Sequence, residues 1–182
     1  AGCSVKNTRT GATVRSLKTA IKNATKGDKL VVSGTCVGPF TISKKLTITG
    51  KGLSSVLKGG ASGPVVTVTK GTTAVLSNLL VNGGKGAPCA EWADFICGGG
   101  ILNRGKLTID KVTVSDNNLQ STDSRQSVFA GGIYNTWSGT MTITRSFIHD
   151  NDMSATAWAQ GAGIGNEGTM LIRSSTISGN ST

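Results

Sequence analysis

Apolar and polar residues alternate in short runs through most of the chain. Phe40-Thr-Ile42, Leu46-Thr-Ile48, Val65 to Val68, Val75-Leu76 and Leu79 to Val81 each repeat with a period of two. That period predicts half-buried β-strands. Further on, the runs fall into copies. Gly99-Gly100-Ile101-Leu102-Asn103 recurs as Gly131-Gly132-Ile133-Tyr134-Asn135 and as Ala162-Gly163-Ile164-Gly165-Asn166. Each copy continues through a glycine and an alternating stretch to an asparagine: Lys106-Leu107-Thr108-Ile109 to Asn117, Thr140-Met141-Thr142-Ile143 to Asn151, and Thr169-Met170-Leu171-Ile172 to Asn180. A fixed period of this size predicts a stacked solenoid. Three short strands per copy predict an all-β parallel β-helix. Its isoleucines stack inside, its asparagines form ladders at the corners, and its glycines allow the bends. Such a molecule presents long regular faces rather than one deep pocket.

Residues 15–26 break the alternation. Leu17, Ala20, Ile21 and Ala24 lie on one face of a short amphipathic helix, and Gly27 is placed to stop it. Lys29 to Val32 reads as the first strand. The helix is placed to cap the first rung, and rungs from about 29 to 182 complete a single domain spanning 1–182. The last rung ends at Asn180-Ser181-Thr182 without a cap, which predicts either that the natural chain continues or that this end associates end to end with another copy.

Composition changes the picture in two respects. Residues 1–88 carry 13 Lys/Arg against Asp28 alone, whereas residues 89–182 carry 6 against 8 Asp/Glu. The basic half is suited to a polysaccharide or another anionic envelope polymer; few aromatics accompany it, so specific nucleic-acid binding is not expected. Four cysteines with one histidine and no metal-type spacing favour two disulfides and an oxidising compartment. We expect Cys3–Cys36 and Cys89–Cys97, one of three pairings. No apolar run approaches the roughly 18 residues of a membrane span. The chain opens at Ala1-Gly2-Cys3 as a processed secreted chain would.

These repeats resemble the right-handed parallel β-helix proteins of the pectin-lyase-like superfamily, in particular secreted bacterial proteins with Gly-Gly-Gly-Ile-x-Asn-x-Gly-x-Leu-Thr repeats. The stretch SLKTAIKNATKGDKLVVSGTCVGPFTISKKLTITGKG is similar to their cap helix, Gly-Asp turn and first rung. The resemblance covers residues 14–182. It implies the fold and a secreted or cell-surface setting, but no single function, because the superfamily hosts lyases, hydrolases, adhesins and structural proteins.

Candidate chemistry is sparse. The superfamily's polysaccharide lyases use a basic residue beside Ca²⁺, and its hydrolases use two or three carboxylates. Here Asp116 and Asp150 occupy one position on consecutive copies, with His149 and Arg145 nearby; these four are the catalytic candidates. Adjacent strand residues point to opposite sides, which counts against a Ser–His–Asp unit built on His149 and Asp150. No cofactor is expected unless a lyase recruits Ca²⁺. The aromatics Trp92, Phe95, Phe129, Tyr134, Trp137 and Trp158 sit mostly in turns. Three loops, Gly83 to Gly98, Asn118 to Ala130 and Asp152 to Gln160, enter the Gly-Gly-Ile strand from one corner, so a solenoid would stack their rings along one edge. Trp92, Phe95, Phe129, Trp137 and Trp158 are the candidate ligand contacts. Thr47/Thr49, Thr67/Thr69 and Thr142/Thr144 suggest an outward threonine array of the kind that orders water, interrupted by Asp110, Leu171 and Arg173. The leading expectation is a non-catalytic module that binds glycan or another envelope polyanion. The alternatives are a lyase or glycosidase on acidic polysaccharide, and a self-assembling structural or adhesin unit.

Overall fold

The computed structural model describes residues 2–52, 54–90 and 92–182; Ala1, Leu53 and Glu91 (which falls within the Gly83–Gly98 loop) lie outside them. The chain forms a β-solenoid of parallel stacked coils with one short helix. Its wall has three faces. The first carries Lys29–Ser33, Leu46–Gly50, the first halves of Thr73–Asn82 and Lys106–Ser115, Thr140–Thr144 and Thr169–Arg173. The second carries Thr35–Val37, Val56–Lys58, the second halves of the same two long strands, Phe147–His149 and Thr176–Ser178. The third carries Phe40–Ile42, Val66–Val68, Ile101–Asn103, Ile133–Asn135 and Ile164–Asn166.

Register follows the hydrophobic pattern. Ile101 pairs with Val66 on one side and Ile133 on the other, and Ile133 pairs with Ile164. On the first face Leu30, Ile48, Leu76, Ile109 and Ile143 form a continuous buried column. A one-residue slip would turn every such side chain outward, so the alternation fixes the pairing.

The corner between the first two faces needs only one residue. Asn78, Lys111, Arg145 and Ser174 all adopt left-handed backbone angles there (φ 53°, 55°, 48° and 49°). Gly50 holds the same corner position one coil earlier, where a Cβ would lie 1.9 Å from the carbonyl oxygen of Asn78. Close approach of two backbones therefore requires glycine. In that coil the first-face strand ends at Gly50 and the second-face strand begins at Val56, so this corner takes more residues than the later ones.

Two asparagine ladders brace the remaining corners. Asn103 donates from Nδ2 to Asn135 Oδ1 (2.7 Å), and Asn135 to Asn166 (2.8 Å). Asn117 donates to Asn151 and Asn151 to Asn180, both at 2.8 Å. The amides of Asn103, Asn117, Asn135 and Asn151 are fully buried, and the ladders satisfy them.

The N-terminal cap differs from the sequence reading. The helix covers Leu17–Asn23 rather than 15–26; Ser16 caps its start, and Ala24 turns extended. It ends before Gly27 because Asp28 draws in the Thr25 amide and hydroxyl, folding residues 25–28 into a turn. Helical positions Leu17, Ala20 and Ile21 seal the tube. The strand edge is covered separately. Ser4–Asn7 pairs antiparallel with Lys29–Ser33, and the two-residue strand Thr13–Val14 covers Ser4–Asn7 in turn. A short antiparallel edge blocks further pairing. Cys3–Cys36 and Cys89–Cys97 are both disulfide-bonded. At the other end Ile172 and Ile177 are 40% and 47% exposed, although their partners one coil back, Ile143 and Ile148, are fully buried.

The three long loops are not irregular. Phe95–Cys97, Ser127–Phe129 and Ala159–Gln160 stack as parallel strands, as do Asn118–Ser121 and Asp152–Ala155. They cover the outside of the third face, so Leu102 and Tyr134 are buried although they point out of the tube.

Candidate functional site

The aromatic edge arises from this loop sheet. Phe95 stands in register with Ser127, whose next coil neighbour is Trp158. Because serine between them is small, the rings of Phe95 and Trp158 meet across it, edge to face at 5.8 Å. Phe129 joins from the neighbouring column, 6.5 Å from Trp158 with nearly parallel planes. Trp92 closes the group at 5.2 Å from Phe95 and 5.7 Å from Phe129. Beneath them Tyr134 meets Phe129 edge to face at 5.1 Å, and its hydroxyl donates to Glu167 Oε2 (2.5 Å).

The rings divide into a base and a surface. Tyr134 and Phe129 are buried, at 0% and 9% exposed, whereas Trp92 and Trp158 are 36% and 45% exposed. Tyr134 thus occupies a strand position inside a satellite core rather than a turn. Gly165 follows Leu102 and Tyr134 in the same outward column. The Phe129 ring fills the space that a side chain there would take, 2.7 Å from a Cβ built on Gly165. The Cys89–Cys97 disulfide closes the loop that carries Trp92 and Phe95. Two large rings are therefore held at the surface by buried rings and a covalent loop, a rigid platform for stacking. Trp137 is apart from this group, in the turn beyond the opposite end of its strand. It is 65% exposed, with Lys70 Nζ 5.0 Å from its ring centroid.

The polar candidates gather elsewhere. Asp116 and Asp150 stand on consecutive coils and both adopt left-handed angles (φ 53° and 51°), with the Asp116 amide donating to the Asp150 carbonyl. That conformation swings each carboxylate back over the preceding residue. His149 Nδ1 lies 2.7 Å from Asp150 Oδ2, and Ser115 donates to Asp116 Oδ2 at 2.7 Å. The strand-alternation argument against a His149–Asp150 contact fails here, because the strand has already ended at Asp150. The serine hydroxyl is spent on Asp116 rather than on the histidine, so the arrangement holds no nucleophile–base contact. Arg145 is also engaged: Nε and Nη2 donate to the two Asp110 oxygens at 2.8 and 2.7 Å, and this bond holds the Asp110 carboxyl below its usual range. Among the described residues no three His, Cys, Asp or Glu side chains come together as a metal site would require.

The outward threonines do not form one array. Thr47, Thr108 and Thr142 share a column, but Val75 separates Thr47 from the other two and Leu171 follows Thr142. Thr67 lies on the third face. Sequence reasoning passed over Phe147, 53% exposed on the second face beside His149, although its place one residue before the buried Ile148 gives its outward direction.

No protein family, curated protein or solved structure matches the chain. Among the described residues no helix is long and apolar enough to cross a membrane.

Proposed function

We propose that this chain is a secreted or cell-surface module of pectin-lyase-like type, exported from a bacterium, which binds glycan without transforming it. The supporting observation is the pair of half-exposed indoles, Trp92 and Trp158, braced from below by Phe95, Phe129 and Tyr134. Sugar rings present flat C–H faces that stack on such surfaces, and pre-set rings lose little entropy on binding. The 13 cations of residues 1–88 add long-range attraction for acidic chains. Two disulfides suit an oxidising, extracellular setting.

The lyase or glycosidase alternative has less support. Arg145, the candidate base, is held by Asp110, and the carboxylates of Asp116 and Asp150 are hydrogen-bonded to Ser115 and His149. Such an enzyme, if Ca²⁺-dependent, would recruit the ion beside those two aspartates.

Glycan-array retention tests the proposal. Trp158→Ala and Trp92→Ala should each weaken retention by about ten-fold, the loss of one stacking contact. Retention unchanged in both variants, or release of unsaturated sugars from uronic polysaccharides, would overturn it.

A further inference from the structure

Lys51 and Gly52, just past the first-face strand Leu46–Gly50, border a second concavity whose lining shares no residue with the aromatic edge. Later coils turn from the first face to the second through one left-handed residue, whereas here the two strands are separated by a longer connection. There an open groove of about 770 Å³ is lined by Lys51, Leu80, Lys111, Thr113, Ser115 and His149, among others. These residues come from four successive coils, so the groove follows the solenoid axis for three strand spacings, about 14 Å.

Its chemistry is graded across the second face, at right angles to that axis. Lys51 and Lys111 stand toward one end, and neither makes an ion pair among the described residues; the charge of Lys111 also acts on Asp110. Leu80 gives an apolar floor between them. Thr113, Ser115 and His149 offer hydroxyl and imidazole groups toward the other end, where the carboxylates Asp116 and Asp150 stand behind Ser115 and His149. An anion is favoured at the lysine end and opposed at the aspartate end. Planar carboxylates are best matched by the fork of arginine, but the nearest arginine, Arg145, is committed to Asp110. Two ammonium groups reaching in from coils two apart act as point charges, which suits a tetrahedral oxyanion.

We propose that this groove binds a phosphate or sulfate ester carried on a polyol or sugar chain. The ester sits between Lys51 and Lys111, the chain's carbon face lies on Leu80, and its hydroxyls reach Thr113, Ser115 and His149. The site is independent of the aromatic platform and does not require that reading to hold.

Titration calorimetry with two probes tests it: a heparin-derived sulfated hexasaccharide and a glycerol-phosphate oligomer of similar length. At least one should bind, and the tighter of the two identifies the ester. Lys51→Ala/Lys111→Ala should weaken that binding by about ten-fold or more, as expected for losing charge-assisted contacts. Lys6→Ala/Lys26→Ala, the same charge change on exposed lysines of the cap, should leave affinity within about three-fold, since diffuse attraction changes little. Trp92→Ala/Trp158→Ala should leave it unchanged. Equal losses in the two lysine pairs, an oligogalacturonate bound as tightly as either ester, or no binding by either probe would overturn the assignment. Unchanged circular dichroism in every variant confirms that folding is intact.

Discussion

Asp28 is the only carboxylate among the first 88 residues, and among the described residues it is the most heavily bonded. Arg9 donates to both of its oxygens, Asn7 donates to one, and the amide and hydroxyl of Thr25 complete the shell. The carboxyl is 3% exposed, and its pKa lies far below the usual aspartate value, first through the Arg9 hydrogen bond and then through Asn7. One side chain thereby ties the N-terminal hairpin to the turn that ends the helix. The sign of its pH effect follows from linkage. A depressed folded-state pKa adds stability that is complete above the unfolded value of about 3.9 and is lost as pH falls below it. Thermal midpoints measured from pH 6 downward should therefore decline below about pH 4. Asp28→Asn should start from a lower midpoint at pH 6 and show a shallower acid decline. A mutant curve parallel to the wild type would show that Asp28 is not the titrating link.

At the scale of elements, corners matter as much as strands. Asn151 donates to Val114, His149 and Asn180 and accepts from Asn117 and its amide, all in the wall of one corner. Replacing it with alanine leaves those buried partners unpaired, at about 1–3 kcal/mol for each group that water cannot reach. We expect Asn151→Ala to cost about 3 kcal/mol in denaturant unfolding, whereas Asn166→Ala, at an exposed ladder end, should cost less than about 1 kcal/mol. Equal costs would mean that the ladder is decorative. The ladders and isoleucine columns were legible because identical residues recur at one period, and the repeat itself states their stacking. Other elements left no such trace. Ser4–Asn7 is a strand only because Lys29–Ser33 offers it an edge, and four residues carry too little alternation to announce that. The His149–Asp150 contact depends on a left-handed angle at an aspartate, which alternation does not encode. The loop rings were legible as a shared edge. Their division into buried base and exposed surface was not, because it depends on Ser127 and Gly165 being small where rings must pass.

For the whole molecule, the decisive asymmetry is between its ends. The first coil is closed by helix, hairpin and the Cys3–Cys36 bond, whereas the last coil leaves Ile172 and Ile177 substantially exposed. Basic and acidic halves alone suggest head-to-tail contact, but the antiparallel cap bars a second chain from continuing the sheet at the basic end. The cap's own hold is therefore the variable that governs association there. Cys3 and Cys36 are 33 residues apart, and closing a loop of that length stabilises the fold by about 3–4 kcal/mol. Without the bond, Ser4–Asn7 can fray and bare the edge of Lys29–Ser33 together with Val5, a fully buried side chain. Cys3→Ser/Cys36→Ser should therefore lower the thermal midpoint by about 10 °C. It should also make light-scattering size rise with concentration, more steeply at high salt, where repulsion among the first-half cations is screened. Cys89→Ser/Cys97→Ser supplies the contrast, since that bond closes a surface loop. It should loosen the aromatic platform, read as a change in near-ultraviolet circular dichroism, without altering size. Association that appears equally in both pairs, or in neither, would show that the N-terminal edge is not what the first disulfide protects.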